Sequence, residues 1–360
     1  MGKNSKRQSK RKVPEVTRRD QVFVGLDVHK RDIHAAVRIN GGEPVTTVMP
    51  AKAEAVLAYL KPYRPGLKKV VYEAGPTGYS LARALREEQI PVEVIAPGKI
   101  PRPAVRESKS DRLDCRKLAE YAEKGLLKPV AVPTPEEEAL RQMARVRESF
   151  SNQRRHQKQQ IKSFLLYHGL PEPPGLSHWS REAVVELRNM PMSDLLRFSL
   201  DQLMDMLVMI EARLAEVDAK LAEVLKTLHP KEVKRLRTHP GVGPVIATSV
   251  LAELYQPQRF DNSREIAAYV GLAPRVMQSG QTRKEGPLMR GGRAALRSKL
   301  VEGALVWVHH DPFARKKFNK LFRSTGSAKK AIVAMARRML VNLWIMLTRA
   351  EDYRPAPCRA

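Results

Sequence analysis

From Gln21 to Gly125 the chain alternates β-branched runs with amphipathic helices in a fixed order, and this order restricts the fold more than any other feature. VFVGLD (22–27) reads as a buried strand, DIHAAVRI (32–39) as a second, and PVTTVM (44–49), after the turn Gly41-Gly42, as a third. There follow a helix over AEAVLAYL (53–60), a strand over KKVVYE (68–73), a helix over YSLARALREE (79–88), a strand over VEVIA (92–96) and a helix over SDRLDCRKLAEYAEKG (110–125). The order βββαβαβα predicts a mixed sheet flanked by helices, an α/β domain.

Four carboxylates punctuate this region. Asp27 ends the first predicted strand and Glu73 the fourth, while Asp111 and Asp114 stand three apart in the last helix and so share a face. Gathered together, they repel unless cations neutralise them. Hard oxygen ligands of this kind suit magnesium, and two such ions about 4 Å apart activate a nucleophile and stabilise a leaving oxygen in phosphoryl transfer. Each acid also has a plainer reading. Asp111 near a helix start complements the macrodipole, and an acid just past a strand is commonly a solvated turn residue. The element order resembles that of the ribonuclease H fold, whose first and fourth strands are neighbours, so the resemblance implies that Asp27 and Glu73 meet. Fold analogy alone licenses no function.

Charge supplies the partner. The chain has 65 Lys+Arg against 38 Asp+Glu, a net charge of +27. Clustered acids in so basic a chain point to metal-dependent chemistry on nucleic acid. No run of about 18 uncharged apolar residues occurs, and MGKNSKRQSKRK lacks the apolar segment of a signal peptide, which predicts a cytoplasmic, nucleoid-associated protein without a membrane span. Cys115 and Cys358 are too few and too distant for a disulfide framework or a zinc site. Residues 1–20 read as a disordered basic arm that either lies on nucleic acid or keeps the chain in solution.

Beyond the α/β region (21–130), residues 131–230 read as long helices and 231–350 as an all-α second domain, with a short tail over 351–360. After the Pro-Thr-Pro boundary (133–135) a long helix runs to about His168, carrying Arg141, Arg145, Arg154, Arg155, Lys158 and Lys162, which either grip phosphates or form a solvated face. PEPPG (171–175) breaks it. A second long helix then repeats Leu203, Leu207, Ile210, Leu214, Val217, Leu221, Val224 and Leu228 at alternating spacings of four and three, a coiled-coil seam expected to join subunits. PGVGP (240–244) before the apolar VIATSVLAEL resembles a helix-hairpin-helix turn, in which Gly241 and Gly243 let backbone amides approach a phosphate. His239, His309 and His310 receive no role.

GLDVHK (25–30), YEAGPTGY (72–79) and KSDRLDCRKLA (109–119) resemble the three acidic motifs of the DEDD transposases of the insertion-sequence one-ten family, relatives of the pilin-gene DNA invertases. THPGVGPVIATSVLAEL (238–254) and AAYVGLAPRVMQSGQTRKEG (267–286) resemble that family's second domain, with its serine motif at Gln278-Ser279-Gly280. The resemblance implies a DNA recombinase that uses the four acids with magnesium and takes Ser279 as nucleophile. It further implies direction by a structured RNA encoded by the element. Recombination needs more than one active site, so a homo-oligomer, a dimer or tetramer, is expected. Without the resemblance, a serine beside glycine in a polar loop is an ordinary loop residue. Nearby Arg283, Lys284 and Arg290 are candidates to stabilise a pentavalent phosphate. Two alternatives stand beside this reading. One is a junction-resolving nuclease that uses the same acids with water, and the other is a non-catalytic nucleic-acid-binding protein.

Overall fold

The computed structural model describes residues 15–101, 111–279, 282–289 and 291–355, the side chains of 111–113, 276–279, 282–285 and 287 apart. The chain divides into two units, Met1–Pro133 and Thr134–Ala360.

The first unit holds β1 (Val22–Val28), β2 (Asp32–Ile39), β3 (Val45–Pro50), α1 (Ala53–Leu60), β4 (Leu67–Glu73), α2 (Ser80–Glu87), β5 (Val92–Ile95), α3 (Asp111–Glu123) and β6 (Pro129–Val130). Its sheet has the order β3-β2-β1-β4-β5-β6. β1 pairs antiparallel with β2 and parallel with β4, so it is central and reads as a continuous apolar run because both faces are covered. Val22, Val24 and Leu26 with Val70 and Tyr72 pack on one face with Val56, Leu60, Ala82 and Leu85 of α1 and α2. Phe23, Val71 and Ile95 pack on the other with Leu118 and Ala122 of α3. β6, two residues at the edge, goes beyond the predicted order, and its proline fits a position that need not donate to a central ladder.

The second unit holds α4 (Pro135–Tyr167), α5 (Arg181–Asn189), α6 (Asp194–Leu228), α7 (Pro230–Leu236), α8 (Pro244–Glu253), α9 (Ser263–Val270), the hairpin β7 (Pro274–Ser279) and β8 (Thr282–Leu288), then α10 (Ala294–His310), α11 (Pro312–Thr325) and α12 (Ala328–Arg349). Thr134 starts α4 with a reciprocal capping box to Glu137. α4 and α6 run antiparallel. Arg147 pairs with Asp218 at 2.6 Å, Lys158 pairs with Glu211 at 3.0 Å, and Gln157 donates to the Leu203 carbonyl.

This pairing corrects the reading of the leucine seam. Leu207, Ile210, Leu214 and Leu221 are buried within one chain, where α4 contributes Ile161 and Leu165 at one end and Leu140 at the other. A partner subunit is not what covers them, and Leu228, assigned to the same seam, is exposed. Some of the basic residues of α4 are likewise engaged inside the unit. Arg141 is buried over the Tyr255 ring, and Lys162 pairs with Glu172.

α8, α10 and α12 meet in the core of the second unit through Ile246, Val250, Leu300, Trp307, Met339 and Leu343. By length and composition α12 is apolar enough to cross a membrane, a feature the sequence reading passed over. Its apolar face is occupied by that core.

Candidate active site

Asp27 and Glu73 lie where two parallel strands end side by side. The β1–β4 register pairs Leu26 with Tyr72, and each acid follows by one residue. Side chains alternate along a strand, so Asp27 shares the face of Phe23 and Gly25, and Glu73 that of Val71, the face covered by α3. Gly25 makes this approach possible: a Cβ there would sit 2.2 Å from the Cys115 carbonyl oxygen and 2.5 Å from the Ala119 amide, both backbone atoms of α3. The helix therefore lies directly on β1. Burial and, after it, the charge of Asp27 push the Cys115 thiol up to about 11, which places Asp27 beside the first turns of α3 and leaves the thiol inert.

Asp114 stands exposed on α3. Asp111 opens the helix, and its side chain lies outside the described residues. Among the described residues no three His, Cys, Asp or Glu come close enough to hold a metal ion. The structure thus brings Asp27 and Glu73 to adjacent strand ends and does not close Asp114 onto them. All-carboxylate donors fit a hard divalent ion and not one that prefers thiolate.

Two histidines escaped the sequence reading. His29 Nε2 lies 3.2 Å from Asp27 Oδ2, and His34 stands opposite Asp27 in the β1–β2 register, its ring edge-on to His29 at 5.9 Å. Strand pairing was the available signal, because directly opposed residues of an antiparallel pair share a face.

Ser279 falls at the end of β7, in register with Thr282, so it stands next to the tip of a hairpin where the sequence reading expected only a polar loop. Arg283 pairs in register with Gln278 and Lys284 with Met277. The side chains of Ser279, Arg283 and Lys284, and all of Arg290, lie outside the described residues. The hairpin's root is well anchored. Met289 donates its amide to the Ala273 carbonyl, and Arg297 donates to the Gly271 carbonyl at 3.3 Å. Arg293 pairs with Glu253 at 3.0 Å and donates to the Tyr269 hydroxyl at 3.3 Å.

The glycine turn divides into two cases. Gly241 has φ +84°, and a Cβ there would fall 2.2 Å from the Gly303 carbonyl oxygen of α10. Packing against a helix is by itself enough to require a glycine at this position. Gly243 starts α8, and nothing lies within 4 Å of where its Cβ would be. His239, just before the turn, is buried between the rings of Trp307 and Tyr353, its Nδ1 bonded to the Pro240 carbonyl at 2.8 Å. Burial pushes it down to about 4, so it is neutral near pH 7. Asp311 accepts from Trp307 Nε1 and the Tyr353 hydroxyl. Burial alone raises the Asp311 carboxyl, but these hydrogen bonds and those from the Ala314 and Phe313 amides outweigh it and hold the group below its ordinary value.

Residues 24–168 match the DEDD transposase model of IS110 elements, which implies a divalent metal cofactor, and residues 233–319 match the model described as transposase IS116/IS110/IS902 family. A putative transposase, y4rJ, of Sinorhizobium fredii is 32% identical over 302 residues, 76% of each chain. The transposase for insertion sequence element IS1111A of Coxiella burnetii is 26% identical over 74% of this chain and 73% of its own. The pilin gene-inverting protein of Moraxella bovis is 31% identical over 109 residues, 30% of this chain and 34% of its own. The first model spans both strand-end acids and the second spans the serine hairpin, so the chain belongs to the IS116/IS110/IS902 family of transposases, enzymes of DNA cleavage and strand transfer.

Proposed function

We propose that this transposase is a magnesium-dependent DNA recombinase. In this reading its first unit is a ribonuclease H-like domain holding metal on Asp27, Glu73, Asp111 and Asp114, and its second supplies Ser279 as nucleophile. The observation that carries the reading is the parallel pairing of β1 with β4, which ends in Asp27 and Glu73 on the face covered by α3. Four carboxylates suit two ions, which when bound polarise the phosphate and neutralise its charge. His29 orients the Asp27 carboxylate in the manner of an outer-shell partner.

Ser279 Oγ attacks phosphorus as the bond from phosphorus to a sugar oxygen breaks, and the proton that the serine loses is made up on the departing sugar hydroxyl. The resulting phosphoserine diester retains the energy of the broken link, so attack by another sugar hydroxyl rejoins strands without an external source. Arg283, Lys284 and Arg290 stabilise charge on the phosphate oxygens, and Gly243 offers its backbone to a neighbouring phosphate. A structured RNA encoded by the element selects the target. The chain acts on the nucleoid as a dimer or tetramer, because exchange between two duplexes needs more than one active site.

Replacing both Asp27 and Glu73 by alanine tests the metal assignment. The variant is expected to lose strand cleavage by at least about a thousandfold, as removal of a principal electrostatic stabiliser does, while it still binds nucleic acid. Cleavage at the parental rate contradicts the assignment.

A further inference from the structure

We infer that α11 and the first turn of α12 form a docking face for the phosphate backbone of a nucleic-acid duplex. No Asp or Glu occurs between Asp311 and Glu351. α11 buries Ala314 and packs Phe318 and Leu321 on the core, which leaves Lys316, Lys320 and Arg323 exposed on the opposite face at spacings of four and three. Across the left-handed turn at Gly326, Lys329 and Lys330 stand exposed at the start of α12.

Among the described residues, none of these five cations has an ion-pair partner. The contrast with α6 is direct, since there Arg213 holds Glu216 at 2.9 Å and Lys220 holds Glu223 at 2.8 Å. Arg315 is also set apart, because its guanidinium donates to the Val308 and His309 carbonyls at the end of α10. The five exposed cations therefore do no visible work inside the protein. Four of them even oppose it: Lys316 and Lys320 repel at i,i+4, and Lys329 and Lys330 in the first turn of α12 stand against the positive end of its macrodipole. A polyanion reverses both effects.

The dimensions also suit a duplex. From Lys316 to Arg323 the helix rises about 10 Å, a length over which duplex DNA carries about six phosphate charges. The family model of the C-terminal region ends at residue 319, short of Lys320, Arg323, Lys329 and Lys330. The inference rests on the protein's membership of a DNA-transacting family and is independent of which group is the nucleophile.

The test neutralises the face in the full chain, as Lys316→Gln, Lys320→Gln, Arg323→Gln, Lys329→Gln and Lys330→Gln together. Binding is measured against salt for a duplex DNA and for a hairpin RNA of equal charge, each of unrelated sequence. Because each phosphate contact contributes about 0.9 to the log-log slope on duplex DNA, the variant's slope is expected to be shallower by up to about 4.5, with affinity at low salt at least tenfold weaker. Neutralising Arg213 and Lys220 on α6 should move neither quantity, and Ser279→Ala should bind as the parent does. A loss with DNA alone, with RNA alone or with both supports the face and identifies the source of its phosphates. In the unaltered protein, bound duplex should slow acetylation of Lys316, Lys320, Lys329 and Lys330 relative to Lys220. Unchanged slopes with both nucleic acids, or lysines of this face that acetylate as fast with duplex as without it, overturn the inference.

Discussion

Gly25 is a residue whose importance lies in what it lacks. With no Cβ it admits the backbone of α3 onto β1 and so sets the distance between that helix and Asp27. Nothing in the sequence marks it as different from other glycines, because the partner backbone lies ninety residues downstream and only tertiary packing identifies it. The acids were legible for the opposite reason: polar residues at the ends of apolar runs stand out locally. His239 yields a prediction at the same scale. Its folded value, about 4, lies below the ordinary 6.5, so between these values the unfolded chain binds more protons than the folded one. The stability this neutral histidine contributes is complete above about 6.5 and falls as pH drops toward 4, by an amount on the order of 3 kcal/mol. Denaturant midpoints of the parent and of His239→Gln, measured at intervals between those values, should converge toward the acid end. Parallel curves would show that His239 does not titrate in the folded core.

At the scale of elements, the order of the first unit could be read because each strand and helix carries its own period. β6 could not, being two residues long, and neither could the β7–β8 hairpin, whose sequence QSGQTRKEG is polar on both faces and shows no alternation. The heptad pattern of α6 was visible, but its partner was not. A stripe of leucines fixes that something covers it, while the choice between a neighbouring helix and a second subunit depends on the antiparallel return of α4 and the charge pairs Arg147–Asp218 and Lys158–Glu211. This placement predicts the phenotype of Leu214→Lys combined with Leu221→Lys. Two charges then enter an intrachain core, so the unfolding midpoint should fall by the equivalent of at least about 3 kcal/mol. The oligomeric mass of the folded fraction, measured by light scattering, should stay unchanged. A folded variant of normal stability and reduced mass would return the seam to a subunit interface.

Across the whole molecule, a chain of net charge +27 carries the strand-end acids in one unit, Met1–Pro133, and the serine hairpin in the other, Thr134–Ala360. Membership of the family was legible in the motifs of both. The placement of the strand-end acids beside α3 was not, because it rests on β1, β4 and α3, segments far apart in sequence. Net charge explains why so basic a protein holds to polyanions, and the paired and unpaired cations of α6 and α11 show that this charge is distributed unevenly. The central claim, that a serine in the second unit acts with the acids of the first, reduces to the identity of the nucleophile. Serine attack leaves the protein covalently joined to a strand, whereas water attack releases it. The deciding measurement stops the reaction on a target DNA carrying a nick, denatures the mixture and maps any DNA-linked peptide by mass spectrometry. The account predicts an adduct on Ser279 that disappears in Ser279→Ala together with cleavage; a Ser279→Ala variant that cleaves at the parental rate with no adduct would contradict it.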